Sequence, residues 1–169
     1  KMKVESSWFK NNAIKVARKY TGKTNIISML KGFHGRTIGA LSVTSSNNNC
    51  KFKSQPLISG NYFCNYFNED SLNIDENKIE KNITKNTRAI LPVHLFGNPC
   101  NMSKISSIAK KHKLKIIEDA CLATGAEYKN KKIGSLSDLT VFSTNPGKIL
   151  DGIGPGGIIT TNSKNLYLQ

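Results

Sequence analysis

The sequence predicts an α/β fold, a mainly parallel sheet sandwiched by helices, and three observations carry that expectation. Short apolar runs alternate with segments whose apolar residues recur at helical spacing, most clearly from residue 62 onward. Turn and breaker residues separate these segments, with no internal repeat and no low-complexity linker. The chain has 169 residues, the length of one compact domain or most of one.

Residues 9 to 21 form the first predicted helix, because Ala13, Ile14, Ala17 and Tyr20 fall on one face. Asn25 to Leu30 follows as a short apolar strand, and then a loop, Lys31-Gly32-Phe33-His34-Gly35. Thr37 to Thr44 is ambiguous, with a helix as one reading; Ser45 to Ser54 is a polar loop around Asn47-Asn48-Asn49. Tyr62 to Phe67 reads as a strand and Asp75 to Ile83 as a short helix. Arg88 to Val93 is a strand, closed by the breaker Gly97-Asn98-Pro99. Asn101 can cap a helix carrying Met102, Ile105, Ile108 and Ala109 on one stripe, with Lys110, Lys111 and Lys113 at its negative end. Leu114 to Ile117, Leu139 to Ser143 and Gly157 to Thr161 complete the predicted strands. Strands joined through helices run parallel with both faces covered, so ligands are expected at their carboxyl ends.

Lys and Arg number 25 against 11 Asp and Glu, a formal net charge of +14. Arginine occurs only at Arg18, Arg36 and Arg88, and the lysines spread over the whole chain. Basic side chains are not clustered beside stacking aromatics, so a solvated surface is expected and a nucleic-acid partner is not. No apolar run approaches the ~20 residues that span a bilayer, and no basic start with an apolar core opens the chain as a secretory signal. Cys50, Cys64, Cys100 and Cys121 contain no CxxC pair. Free thiols in a reducing cytoplasm are expected, with no metal site. The chain begins at Lys1 and stops in a polar stretch at Gln169, as expected for a piece of a longer protein.

Two segments imitate phosphate-binding loops. Gly22-Lys23-Thr24 follows a helix and precedes a strand, the reverse of the order that lets a helix dipole meet phosphate. Gly152-Ile153-Gly154-Pro155-Gly156-Gly157 contains GxGxxG, but Pro155 and the run Ile158-Ile159-Thr160-Thr161 announce a strand rather than a helix.

The chemistry concentrates between Lys115 and Gly157. An apolar strand ends in Glu118-Asp119, which places carboxylates at the sheet's carboxyl edge, and Lys148 follows a second strand and a Pro146-Gly147 turn. An amine, a hydroxyl and a carboxylate around one small cofactor are what pyridoxal 5′-phosphate requires.

From about Asp70 to Thr161 the sequence resembles the DegT/DnrJ family of pyridoxal-phosphate sugar aminotransferases. The stretches that carry this are Leu72-Asn73-Ile74-Asp75, Arg88-Ala89-Ile90-Leu91-Pro92-Val93-His94-Leu95-Phe96-Gly97, Ile117-Glu118-Asp119-Ala120, Gly125-Ala126-Glu127-Tyr128, Lys132-Ile133-Gly134-Ser135 and Phe142-Ser143 with Pro146-Gly147-Lys148. The resemblance implies Lys148 as the Schiff-base lysine, Asp119 as the partner of the pyridinium nitrogen and Ser143 as a phosphate ligand. Residues 9 to 44 are instead similar to class III aminotransferases of the acetylornithine/ornithine kind, through Asn12 to Gly22 and Gly32 to Ser42. That similarity implies Phe33 stacked on the cofactor ring and a phosphate-binding turn before the first helix, near Ser6 and Ser7.

Both families share the fold type I large domain. The implied organisation is a chimeric, truncated large domain, with residues 1–60 class III-like, residues 61–169 DegT/DnrJ-like and the small carboxyl-terminal domain absent. The implied activity is transamination of a nucleotide-linked keto sugar with glutamate as donor. A class III amino-acid transaminase and a catalytically silent fragment are the alternatives. Small-molecule donor and acceptor, a homodimer and a cytoplasmic location complete the implication. Several positions depart from the two patterns. Leu122 replaces the glutamine that contacts the cofactor's phenolic oxygen, Thr124 a histidine, Ser6-Ser7 a Gly-Thr pair and Trp8 a glutamate.

Overall fold

The computed structural model describes residues 6–46, 48–64 and 75–167. Along the chain, helix α1 (Ser6–Thr21) leads into β1 (Asn25–Met29), α2 (Ile38–Val43), β2 (Asn61–Cys64), α3 (Asn77–Lys81) and β3 (Thr87–Ile90). Helix α4 (Met102–Lys111) and β4 (Lys115–Asp119) come next, then a small hairpin of β5 (Glu127–Tyr128) and β6 (Lys131–Lys132). Strands β7 (Leu139–Ser143) and β8 (Gly157–Thr160) and helix α5 (Lys164–Tyr167) close the order. The main sheet runs β2-β1-β3-β4-β7-β8, parallel throughout except for the antiparallel pair β7–β8.

Alternation along each strand divides the apolar side chains between two layers. Ile26, Ala89, Leu91 and Ile117 point to one face, where Ala13, Ile14 and Ala17 of α1 cover them. Ile27, Ile90 and Ile116 point to the other, beneath Met102, Ile105 and Ala109 of α4 and Ile79 of α3. Burial of each isoleucine, leucine or methionine side chain among these contributes about 1.5–3 kcal/mol. Helix α1 ends at Gly22, whose φ of +64° lets its amide donate to Arg18 O at 2.9 Å. Arg18 then ties the helix to the strands, donating from Nε to Thr24 O at 2.8 Å. Asn101 caps α4 as expected, accepting from the Lys104 amide at 3.2 Å.

The ambiguous segment at 37–44 is helix α2, seated close against α1: a side chain at Gly39 would collide with Asn11. Strand β3 stops earlier than Val93 because Pro92 has no amide to donate. Leu91 N–H still reaches Ile27 O at 2.9 Å, and Val93 rejoins the sheet through a bridge to Asp119. The predicted helix at 75–83 is confined to α3. The β5–β6 hairpin was not expected. Lys129 and Asn130, at φ 51° and 61°, form its two-residue turn, the geometry that suits strand twist. Both phosphate-loop imitations are ordinary turns, one between α1 and β1 and one entering β8. The stretch Leu72-Asn73-Ile74 and residues 65–67 of the strand expected from Tyr62 lie outside the described residues.

Candidate active site

A cavity of about 320 Å³ opens where the parallel strands end. Lys31, Gly32 and Phe33 reach it from the loop after β1, Val93 and Leu95 from the segment after β3, Asp119, Cys121 and Leu122 from the end of β4, and Asn145 and Lys148 from the loop after β7. Lys10 enters from α1. The site stands at the carboxyl edge, where the amide and carbonyl ends of several strands leave room for a ligand.

Asp119 forms the floor. As the last residue of β4 it shares the parity of Ile117, so its side chain faces the α1 layer, and it is 1% exposed. Its Oδ2 lies 2.9 Å from Lys10 Nζ and 2.8 Å from His34 Nδ1, and its Oδ1 accepts the Cys121 amide at 3.2 Å. Burial alone would raise the Asp119 pKa, but Lys10 and His34 outweigh it and hold the carboxyl well below its usual range. Lys10 shows the converse: burial would favour the neutral amine, and Asp119 overcomes it to raise the pKa. The His34 pKa is lowered, chiefly by burial and against the pull of Asp119. Ser28 Oγ lies 3.0 Å from the remaining ring nitrogen, Nε2, and completes the chain of contacts.

Lys148 stands at the end of a tight turn. Pro146 and Gly147 occupy its middle, Gly147 has φ +84°, and Lys148 N–H donates to Asn145 O at 3.0 Å. Asn145 Oδ1 accepts from the Gly156 amide at 3.0 Å, anchoring the turn to the strand that leaves the loop. Phe33 lines the cavity with about half its surface exposed.

Asp119, Lys148 and Phe33, singled out from sequence, therefore meet in one cavity. Ser143 does not line it: the residue is fully buried at the end of β7, and its Oγ accepts the Asn145 amide at 3.4 Å. Ser6 and Ser7 belong to α1 itself rather than to a turn, because their backbone is helical. Leu122 presents an apolar wall to the cavity. His94, fully buried, faces the opposite layer and pairs with Glu118 at 2.7 Å.

Two residues of the site escaped the sequence reading, Lys10 and His34. The signal for Lys10 was present. It lies three and four residues before Ala13 and Ile14, on the buried face of α1, where a lysine has no ordinary reason to stand. His34 sits one residue beyond Phe33 in a loop already marked for a ligand.

The model of the DegT/DnrJ/EryC1/StrS aminotransferase family matches residues 63–169, and that of class-III aminotransferases matches residues 7–98. The chain is 52% identical over 97 residues to the dTDP-3-amino-3,6-dideoxy-α-D-galactopyranose transaminase of Aneurinibacillus thermoaerophilus, a match covering 57% of this chain and 27% of that protein. It is 48% identical over 96 residues to the GDP-perosamine synthase of Caulobacter vibrioides, covering 57% of this chain and 26% of that one. The structure also superposes on NtdA of Bacillus subtilis, solved with bound PMP. There the TM-score is 0.65 at 31% identity, over 92% of this chain and 32% of the other. The curated relatives are thus matched over only about a quarter of their length. The chain belongs to the DegT/DnrJ/EryC1/StrS aminotransferase family.

Proposed function

We propose that this member of the family supplies the cofactor-binding part of a pyridoxal 5′-phosphate aminotransferase that acts on a nucleotide-linked keto sugar, with glutamate as amino donor. One observation carries the reading: Lys148 and Phe33, from two separate loops, and Asp119, from the end of β4, line a single cavity at the carboxyl edge of the sheet. The residues present suit the cofactor. An amine, a carboxylate and an aromatic face surround about 320 Å³, and Lys31 and Lys148 on its wall favour a ligand bearing phosphate.

When bound, the cofactor supplies an aldehyde and an electron-accepting ring. In this reading Lys148 would hold the aldehyde carbon, and its amine would carry the proton that the donor's amino-bearing carbon gives up. Asp119 would keep the ring nitrogen protonated, and Phe33 would cover one ring face. In the same reading Ser6 and Ser7 of α1 belong to the phosphate side. Leu122 offers no hydrogen bond to the phenolic oxygen, which weakens cofactor binding by about 1 kcal/mol.

The sugar substrate is supported by the two curated relatives, whose names describe a GDP-linked and a dTDP-linked amino sugar. A second subunit is supported by the exposed apolar side chains Ile149, Leu150 and Ile153 beside Lys148. Four free cysteines favour the cytoplasm. Residues 1–60 and 61–169 are read as successive pieces of one large domain. The class-III match over residues 7–98 favours a second reading, an amino-acid substrate of the acetylornithine kind. Half-reactions with ornithine derivatives and with nucleotide keto sugars separate the two.

The test is chemical. Incubation with pyridoxal 5′-phosphate, reduction with borohydride and peptide mapping are expected to place the label on Lys148 and to find none in Lys148→Ala. Equal labelling of the variant overturns the mechanism.

A further inference from the structure

The cavity contains a cation for which the proposed function has no use. Lys10 projects from the buried face of α1, in register with Ala13, Ile14 and Ala17, and its Nζ sits 2.9 Å from Asp119 Oδ2. The two side chains are 6% and 2% exposed. The oxygen that Lys10 touches is also reached by His34 Nδ1 at 2.8 Å, and the other oxygen of Asp119 is taken by the Cys121 amide. The titratable groups against Asp119 are thus Lys10 and Cys121 beside His34, with Lys31 and Lys148 elsewhere on the cavity wall. Asp119 is fully satisfied by the chain's own groups.

We propose that Lys10 is a built-in rival of the cofactor: its ammonium occupies the carboxylate that would otherwise hold the protonated ring nitrogen, making Lys10 a determinant of cofactor affinity. The inference rests on the pyridoxal-phosphate reading of the site. Two cations cannot share one buried carboxylate without repelling each other. The cofactor therefore binds fully only as Lys10 withdraws, and an ammonium withdrawn from a buried pair must be desolvated elsewhere or returned to water. The lysine stem is flexible enough to make that movement, so the rivalry sets an affinity rather than closing the site. His34 is different in kind, because a neutral imidazole on Asp119 leaves the carboxylate's charge available.

The experiment compares the whole chain with Lys10→Met, which keeps the stem and loses the charge, and Lys10→Arg, which keeps the charge. Affinity for pyridoxal 5′-phosphate is read by equilibrium dialysis, and folding by thermal melting. Lys10→Met is expected to bind about tenfold tighter or more, while Lys10→Arg is expected to bind no tighter than the parent. Without cofactor, Lys10→Met is expected to melt lower than the parent, because Asp119 loses a partner, and added cofactor raises its Tm by the larger amount. If Lys10→Met fails to fold, Lys10→Gln carries the same expectation. A folded neutral variant that binds no tighter than the parent overturns the inference. Borohydride mapping separates the two failures. Label on Lys148 at equal affinity in parent and variant leaves the proposed function standing and removes the role of Lys10. Label in neither chain removes both, and label in the neutral variant alone supports both.

Discussion

Glu118 and Asp119 are consecutive residues of β4, both buried, and each pairs with a histidine, yet they lead to different places. Glu118 faces the α4 layer, where its Oε2 lies 2.7 Å from His94 Nε2, and the other ring nitrogen of His94 accepts the Cys100 amide at 3.1 Å. That arrangement is closed, with no residue of it lining the cavity. Asp119 faces the α1 layer and opens on the cavity, with Lys10 as well as His34 upon it. Strand alternation alone separates the two carboxylates. The lesson is that a buried acid–histidine pair is not a site by itself. Asp119 differs in its open side and in the cation, Lys10, that reaches it there.

The comparison is sharpened most by removing the carboxylates. Asp119→Ala leaves the Lys10 ammonium buried without its partner and is expected to cost about 3–5 kcal/mol in urea denaturation. Glu118→Gln keeps a hydrogen-bonding group beside His94 and is expected to cost less, about 1–3 kcal/mol. A larger loss at Glu118 would reverse the ranking of the two pairs.

The pH dependence follows from the same asymmetry. The Asp119 pKa is depressed in the folded chain, so its contribution to stability is complete above the unfolded value, about pH 4, and is lost as pH falls below it. The Lys10 pKa is raised, so its contribution is complete below about pH 10 and is lost as pH climbs through the raised value. Asp119→Asn is expected to show a shallower acid loss than the parent between about pH 4 and pH 2. Equal slopes would mean that Asp119 is not held charged in the fold. The smallest expected effect is at Lys148, whose turn lies on the surface. Lys148→Ala is expected to change stability by no more than about 0.5 kcal/mol while abolishing the borohydride label.

Much of this architecture could be read from residue patterns, and the misses have physical causes. The run Lys115-Ile116-Ile117 and the cap at Asn101 were plain because local chemistry and tertiary packing agree there. Lys148 and Asp119 could be paired because Asp119 ends one strand and Lys148 follows another, both strands ending at the same sheet edge. Lys10 was lost among the chain's many lysines, although its spacing to Ala13 and Ile14 placed it inward. The β5–β6 hairpin was hidden because Lys129 and Lys131 read as surface charge, while the left-handed backbone of Lys129 and Asn130 leaves little trace in sequence. Ser143 was assigned by resemblance to the ligand side. Burial at the strand end turns its hydroxyl toward the Asn145 amide instead.

The central claim is that Asp119 and Lys148 serve opposite ends of one bound ring. A crystal structure of the chain soaked with pyridoxal 5′-phosphate tests it most directly. The account predicts the ring nitrogen on the Asp119 carboxylate, Lys10 displaced from its present contact, and the aldehyde carbon joined to Lys148. A cofactor found elsewhere, or bound in the cavity with Lys10 still on Asp119 and Lys148 free, would contradict it.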